Sequence, residues 1–268
     1  MSDTAILPRH PVIGSEAQWS ASVLDVRDLV KMRRQGGVGF ELRVPTFRVG
    51  SGELVAIIGE SGCGKSTLLD LLALVLRPTE CGRFHFHKPG QGRDGGLSDV
   101  AALWAKGREN DLARLRRHHL GYVLQTGGLL PFLSVRENLN LPLRIKGLPA
   151  APDKVEAWAR RMGVERLLEK KPQFLSGGQR QRIAILRALI HAPALVLADE
   201  PTAAVDRTRA RRIVADFSML AREEGSTIVM VTHDQPLVAD VADRIFGFRV
   251  EQVSDTLTQS TCLEEIRS

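Results

Sequence analysis

Short apolar runs, separated by polar or glycine-rich stretches, dominate the pattern along this chain. Residues 53–58, 194–198 and 227–232 form nearly continuous apolar runs, which is typical of strands buried on both faces. Residues 23–26 and 40–47 alternate apolar with charged positions, as strands with one exposed face do. The pattern therefore predicts at least five strands, three of them in the interior of a sheet.

Helical spacing fills the intervals between these runs. Residues 66–76, 181–190 and 209–223 have helical composition, and residues 134–168 are mostly helical with breaks that include Pro142. Residues 122–124 predict another short strand, residues 83–96 a hairpin and loop, and the segment up to residue 111 an extra surface loop. Because buried strands alternate with helices, the predicted fold class is α/β with a mainly parallel sheet.

The domain organisation follows from the same pattern. We expect one domain over residues 21–250, preceded by a flexible leader at 1–20 that prolines and a glycine interrupt, and followed by a C-terminal tail at 251–268. The longest strongly apolar stretch, residues 71–76, is far shorter than the roughly 20 residues that cross a bilayer. The sequence therefore predicts a chain that does not span the membrane.

A glycine-rich motif follows the first buried strand and precedes a helix. It fits the P-loop pattern G-x-x-x-x-G-K-[ST], whose glycines let consecutive backbone N–H groups surround phosphate oxygens. Lys65 would supply positive charge to the β- and γ-phosphates, and the Ser66 hydroxyl would bind Mg²⁺. The expected ATP-binding residues of this motif are Gly59, Glu60, Ser61, Gly62, Cys63, Gly64, Lys65, Ser66 and Thr67.

Two acidic residues end the apolar run at 194–198. Asp199 lies where the strand would meet the sheet edge and can hold Mg²⁺. Glu200 is suited to polarise an attacking water molecule, as a general base does. An acidic turn after a core strand is common, but its occurrence in a chain that also carries a P-loop favours a catalytic role.

A third motif, Leu-Ser-Gly-Gly-Gln at residues 175–179, resembles the signature of the ABC ATPase family. Taken with the P-loop and the acidic pair, it makes the chain similar to an ABC transporter ATP-binding subunit. The resemblance implies a P-loop (RecA-like) core with a mainly parallel sheet, an antiparallel β subdomain, and a helical signature subdomain at about residues 127–190. It also implies hydrolysis of ATP to ADP and phosphate, with Mg²⁺ as cofactor.

The resemblance also implies a head-to-tail pair of cassettes, in the simplest case two copies of this chain, in which each signature closes over the partner's nucleotide. The residues expected to contact that nucleotide from the signature are Ser176, Gly177, Gly178 and Gln179. Asp206 occupies the position expected at the dimer seam, and His233 matches the histidine that bonds the γ-phosphate. Gln125 matches the glutamine that contacts Mg²⁺, giving Ser66, Gln125 and Asp199 as metal ligands and Lys65, Glu200 and His233 as catalytic residues.

One feature departs from the family pattern, because no aromatic residue stands near residues 32–34 to stack on adenine. Arg33 is the substitute that we expect, since a planar guanidinium can stack on a base. Two histidine pairs, at 85/87 and 118/119, have no further ligands at metal-binding spacing and are better explained as surface residues.

Composition and charge narrow the functional classes. The net charge of +6 favours an anionic partner, although Arg-rich helices can simply be solvated. The three cysteines leave one unpaired in any disulfide scheme, which favours a reducing cytoplasm. An ABC-type ATPase that acts on nucleic acid or ribosomes is therefore an alternative. However, the stretch between Lys65 and Ser176 is too short for an added coiled coil, and only one cassette is present.

Runs at residues 129–131, 137–139, 141–143 and 197–202 resemble the lipoprotein-release and macrolide-export branch of the family. That branch implies a separate integral membrane permease as partner, a peripheral position on the cytoplasmic face of the inner membrane, and no direct contact with nucleic acid. A non-enzymatic regulatory cassette is disfavoured because Lys65, Glu200 and His233 are all present.

Overall fold

The computed structural model describes residues 22–88, 96–203 and 205–265, so the predicted leader lies outside the described residues. One sheet carries ten strands: β1 Ser22–Gln35, β2 Val38–Gly50, β3 Leu54–Ile58, β4 Glu80–Lys88, β5 Gly96–Asp99, β6 Leu120–Val123, β7 Leu195–Asp199, β8 Thr227–Thr232, β9 Arg244–Ser254 and β10 Leu257–Glu264. The helices are α1 Lys65–Leu72, α2 Val100–Ala105, α3 Glu109–His119, α4 Val135–Lys146, α5 Pro152–Arg161, α6 Gly177–Leu189, α7 Arg207–Glu223 and α8 Gln235–Val238.

Five neighbouring strands, in the order β9-β3-β8-β7-β6, form the parallel half of the sheet. Every residue of β3 and of β8 is buried, in agreement with their continuous apolar sequences. Parallel strands need covered faces because helical crossovers pack on both of them. The predicted α/β fold class with a mainly parallel core is therefore confirmed.

The other half is an antiparallel arm in the order β5-β4-β1-β2. Its strands run longer than the predicted ones, because alternation with charged residues continues to Gln35 on β1 and to Gly50 on β2. Arg33 lies directly opposite Phe40 in this pairing. Directly opposed residues of paired strands project from the same face of a sheet, so these two side chains are neighbours.

The residues predicted as a C-terminal tail differ most from expectation. Residues 251–254 complete β9, and residues 257–264 form β10, which pairs antiparallel with β9 and parallel with β2. Strand β10 thereby joins the antiparallel arm to the parallel half of the sheet. The predicted tail was wrong for these residues because pairing partners far away in sequence, not local hydrophobicity, hold the strand.

The segment predicted as an extra surface loop up to residue 111 is also more regular than expected. In its described part it contains β4, β5 and α2, and it ends in α3. Val100 and Trp104 of α2 are buried, so this part of the segment is a helix that packs against the rest of the chain.

Helix α4 passes through Pro142, where the sequence predicts a break. Proline removes one backbone donor from a helix and costs stability. Here a capping box formed by Ser134 and Glu137 starts the helix, and buried Leu139 and Leu143 flank the proline. Packing on both sides of Pro142 outweighs the lost hydrogen bond, as tertiary contacts commonly do for short helices.

Candidate nucleotide-binding site

The P-loop lies between β3 and α1, at the carboxyl edge of the parallel strands. Gly64, with φ of 108°, adopts the left-handed conformation that starts α1 and that glycine accepts without steric cost. The Lys65 side chain is buried and its Nζ donates hydrogen bonds of 2.7 Å to the carbonyl oxygens of Gly59 and Glu60. The ammonium group is thus held inside the loop, where a phosphate group would lie.

An aromatic side chain that sequence reasoning missed lies beside this loop. A methyl group placed on Gly64 would come within 3.2 Å of the Phe40 ring, so the ring packs against the loop itself. Phe40 and Arg33 both line the cleft next to the P-loop. No aromatic residue stands at the end of β1, but the pairing of β1 with β2 brings Phe40 to the same place from the neighbouring strand.

Strand β7 ends in Asp199 and is followed at once by a strained residue. Glu200 has φ of 41°, which is uncommon for a residue with a side chain, and its amide donates a 3.0 Å hydrogen bond to the carbonyl of Val231 on β8. The Glu200 carboxylate Oε2 lies 3.1 Å from Nδ1 of His233. Strain of this kind clusters at active sites, where the surrounding structure fixes a side chain in one direction.

Burial raises the pKa of the Asp199 carboxyl, and the neighbouring carboxylates of Glu200 and Asp70 raise this pKa further. The nearby Lys65 ammonium acts in the opposite direction. Three acidic groups therefore crowd the edge of the sheet beside one ammonium. A divalent cation would relieve this crowding, because it favours the charged form of each carboxyl.

One cleft of about 760 Å³ gathers most of the predicted site. The predicted residues that line it are Arg33, Ser61, Gly62, Gly64, Lys65, Ser66, Thr67, Gln125, Asp199, Glu200 and His233. Cys63 is buried behind the loop, and Gly59 and Glu60 contribute the carbonyl groups that Lys65 contacts. Residues from five separate parts of the chain thus meet around a single phosphate-binding loop.

The signature residues Ser176, Gly177, Gly178 and Gln179 and the predicted seam residue Asp206 are absent from that cleft in the described chain. Ser176 instead caps α6: its hydroxyl accepts from the amide of Gln179, and the Gln179 side chain accepts from the amide of Ser176. Helix α6 begins four residues before the sequence predicts, because this capping box includes the two glycines in its first turn. The remaining amides of this turn form an anion-attracting helix end.

Asp206 caps the next long helix in a similar way. Its carboxylate accepts a 3.1 Å hydrogen bond from the amide of Arg209 and starts α7. A methyl group on Gly178 would lie 3.0 Å from Val205, so the signature turn packs against the segment just before Asp206. The two elements predicted to face a partner cassette are therefore adjacent on one side of the molecule.

The cleft, its buried lysine and its carboxylate pair define a P-loop nucleotide-hydrolysing protein. A family model described as ABC transporter matches residues 42–203, which is more than half of the chain. The chain belongs to this family as an ATP-binding, ATP-hydrolysing subunit. The resemblance to ABC transporter ATP-binding subunits, predicted from the sequence motifs, is therefore confirmed.

Several named ATP-binding proteins are similar to this chain in sequence. The macrolide export ATP-binding/permease protein MacB of Syntrophobacter fumaroxidans is 38% identical over 232 residues, which cover 85% of this chain but only 30% of MacB. The bacitracin export ATP-binding protein BceA of Halalkalibacterium halodurans is 36% identical, over 77% of each chain. The lipoprotein-releasing system ATP-binding protein LolD of Anaeromyxobacter dehalogenans is 42% identical over 74% of this chain and 77% of LolD.

A solved structure of an ATP-binding cassette is also similar to this chain. The dimeric post-hydrolysis state of the ATP-binding cassette MJ0796, bound to ADP and Pi, matches with a TM-score of 0.70 and 31% identity. The match covers 84% of this chain and 93% of that one. No helix in the described part of our chain is long and apolar enough to cross a membrane.

Proposed function

We propose that this chain works as one of a head-to-tail pair of ATPase subunits that drives a separate membrane permease of the lipoprotein-release or macrolide-export type. The observation that carries the proposal is the division of the site. Lys65, Asp199 and Glu200 line one cleft, whereas the signature turn at Ser176 does not line it. Each cleft would thus need a signature from a second copy.

In this proposal the P-loop amides and Lys65 bind the β- and γ-phosphates of ATP. Glu200 accepts a proton from the attacking water, since its strained backbone and its contact with His233 fix the carboxylate in the cleft. The His233 side chain is 65% exposed and can turn towards a γ-phosphate when ATP binds. The adenine base would lie against Phe40 and Arg33.

The residues present suit Mg²⁺. The Ser66 hydroxyl, the Gln125 amide and the Asp199 carboxylate supply hard oxygen donors in the same cleft. Mg²⁺ is commonly held by one or two carboxylates together with substrate phosphates, not by a complete protein cage. When bound, it would neutralise charge on the phosphates during hydrolysis.

A second cavity supports the proposed permease contact. It measures about 430 Å³ and is formed by α3, β6, α4 and the end of α6, on the helical side of the molecule. Leu141, Pro142 and Ile145 of α4 give it an apolar wall, and Ile145 is 53% exposed. His191 adds a buried Nδ1 atom with no hydrogen-bond partner in the described structure. An apolar wall and an unsatisfied polar atom suit a protein segment that supplies both kinds of contact.

The rim of this cavity is basic, through Arg116, Arg117 and Arg187. Arg187 bonds the carbonyls of Gly127 and Gly128, which follow Gln125 closely in the chain. Arg187 would therefore link a permease segment docked here to the loop that follows Gln125, a residue that lines the nucleotide cleft. The names of the similar export and lipoprotein-releasing proteins support this partner, and with it a peripheral position on the cytoplasmic face of the membrane.

The test of hydrolysis is Glu200→Gln. We expect turnover to fall by about a hundredfold or more, because a positioned general base contributes roughly 10² to 10⁴. ATP should still bind, and light scattering should detect a dimer that forms with ATP and Mg²⁺. Glu251→Gln, at an exposed position outside the cleft, is the matched control. Turnover at the parental rate in Glu200→Gln would refute the catalytic assignment.

The test of the partner is a detergent pull-down from native membranes with tagged Glu200→Gln protein, ATP and Mg²⁺. Recovery of a permease with few membrane spans would support the export branch. Adding Ile145→Asp should abolish this recovery while ATP-dependent dimerisation persists, because the position is exposed and does not line the nucleotide cleft. Recovery of ribosomes or nucleic acid without a membrane protein would overturn the transporter proposal and leave the ATPase intact.

A further inference from the structure

The C-terminal hairpin of β9 and β10 contacts the P-loop directly. Ser260 of β10 is fully buried, and its hydroxyl donates a 2.5 Å hydrogen bond to the carbonyl oxygen of Cys63 in the loop. We propose that Ser260 is a positioning residue that holds the P-loop in its phosphate-binding form. The terminal hairpin would then be a working part of the nucleotide site.

The contact falls where the loop backbone has most freedom. Cys63 stands between Gly62, with φ of 84°, and Gly64, with φ of 108°. Two left-handed glycines can reorient the peptide groups between them at little cost. A hydrogen bond to the intervening carbonyl fixes that orientation, and with it the direction of the neighbouring amides that must face phosphate oxygens.

A second contact from the hairpin reaches the start of the loop. A methyl group on Gly59 would lie 3.1 Å from the Phe248 ring of β9, so the ring packs against the first residue of the motif. Phe248 and Ser260 therefore contact the loop from the two strands of one hairpin. Together they hold the loop at its first and fifth residues.

The tip of the hairpin holds the opposite wall of the cleft. The amide of Gly39 on β2 donates a 2.6 Å hydrogen bond to the carbonyl of Thr256 in the turn between β9 and β10. Gly39 and Phe40 line the nucleotide cleft on the side where we propose that the base lies. The hairpin thus contacts the phosphate side and the base side of one cleft, which a strand serving only the core would not need to do.

Loss of the Ser260 hydroxyl should leave the loop free to adopt other conformations before nucleotide binds. Binding must then order the loop, which lowers affinity without a change in any nucleotide contact. We expect Ser260→Ala to raise the dissociation constants of ADP and ATP together, by about five- to tenfold, the effect of one buried hydrogen bond. Turnover at saturating ATP should stay within about twofold of the parent, because Glu200 is untouched.

The experiment is calorimetric titration of the full chain with ADP and with a non-hydrolysable ATP analogue, together with KM and kcat for ATP. Thr261→Ala is the matched control, because Thr261 neighbours Ser260 on β10 and is only partly buried. If Ser260→Ala folds poorly, Ser260→Cys under reducing conditions fills the site with a somewhat larger side chain that is only a weak donor, and it should weaken binding in the same way. Thermal melting without nucleotide separates a loss of stability from a loss of affinity.

Parental dissociation constants in both Ser260 variants would overturn the proposal. So would a fall in kcat with an unchanged KM, since that result assigns the residue to the chemical step. A lower melting temperature with unaltered affinity, measured well below the transition, would show that Ser260 serves the core alone.

Discussion

Asn138, in the first half of α4, fixes the segment that connects Gln125 to the helical part of the chain. Its side chain is fully buried and makes hydrogen bonds in both directions. The Oδ1 atom accepts from the amide of Leu130 at 2.8 Å, and Nδ2 donates to the carbonyl oxygens of Leu130, Leu133 and Ser134 at 2.9 to 3.3 Å. The side-chain amide of Asn138 therefore bonds three residues of the segment that leads into α4.

We expect Asn138→Ala to lower the free energy of unfolding by about 3 kcal/mol. The largest contribution is the Leu130 N–H, which would lose the partner it has here, and an unpaired buried donor costs about 1 to 3 kcal/mol. The lost donor bonds to the carbonyls add about 1 kcal/mol each at most, and two of those carbonyls keep a backbone donor. For a chain of this size the melting temperature should fall by about 6 to 12 °C.

Asn140→Ala is the matched control, two residues further along the same helix. Its Nδ2 makes one bond, to the carbonyl of Arg136, and its Oδ1 is buried without a partner in the described structure. Asn140→Ala should change the free energy of unfolding by less than about 1 kcal/mol, because the substitution removes one hydrogen bond but also removes a buried oxygen that has no partner. Urea and thermal unfolding without nucleotide measure both variants. Equal effects of the two substitutions would refute the assignment of the loop's stability to Asn138.

Burial lowers the pKa of His191 to about 4, so between about pH 4 and 6.5 the unfolded chain binds more protons and stability falls as the pH falls. Between neutral pH and pH 5, His191→Gln should remove about 2 kcal/mol of this acid sensitivity, because about 1.5 pH units of that interval lie below the unfolded pKa. Urea unfolding at the two pH values measures this change, and an unchanged pH dependence would contradict the assignment. Phe40→Ala should weaken ATP binding about tenfold by loss of base stacking. Phe132→Ala, which removes a 67% exposed phenylalanine, is the control in the same titration. Equal ATP affinities of the two variants would show that the base does not stack on Phe40.

The buried strands and the P-loop could be predicted because their signals are local. An apolar run such as β3 has few alternatives to the sheet interior, and the glycines at 62 and 64 mark a backbone that other residues rarely adopt. The acidic pair at Asp199 and Glu200 follows from the same logic, since a buried parallel strand must end at the carboxyl edge of the sheet. The catalytic role of Glu200 is a proposal that Glu200→Gln tests.

Phe40 and the terminal hairpin could not be predicted in the same way, because their positions depend on register. Phe40 reaches the cleft only because β1 and β2 pair so that it faces Arg33. Strand β10 is polar and partly exposed along most of its length, and its partner β2 lies some two hundred residues earlier. Buried Ser260 and Cys262 alternate with the less buried Gln259, Thr261 and Leu263, but this alternation is too short to specify a partner strand.

Register also explains why the end of the chain matters to nucleotide binding. The phosphate side of the cleft belongs to the parallel half of the sheet, whereas Arg33 and Phe40 belong to the antiparallel arm. Strand β10 lies between β2 and β9 and forms backbone hydrogen bonds with both of them. Strand β10 therefore contributes to the spacing between Phe40 and the P-loop. A substitution that displaced β10 as a whole should weaken base and phosphate contacts together, whereas Ser260→Ala, which leaves the strand pairing intact, should act on the phosphate contacts alone.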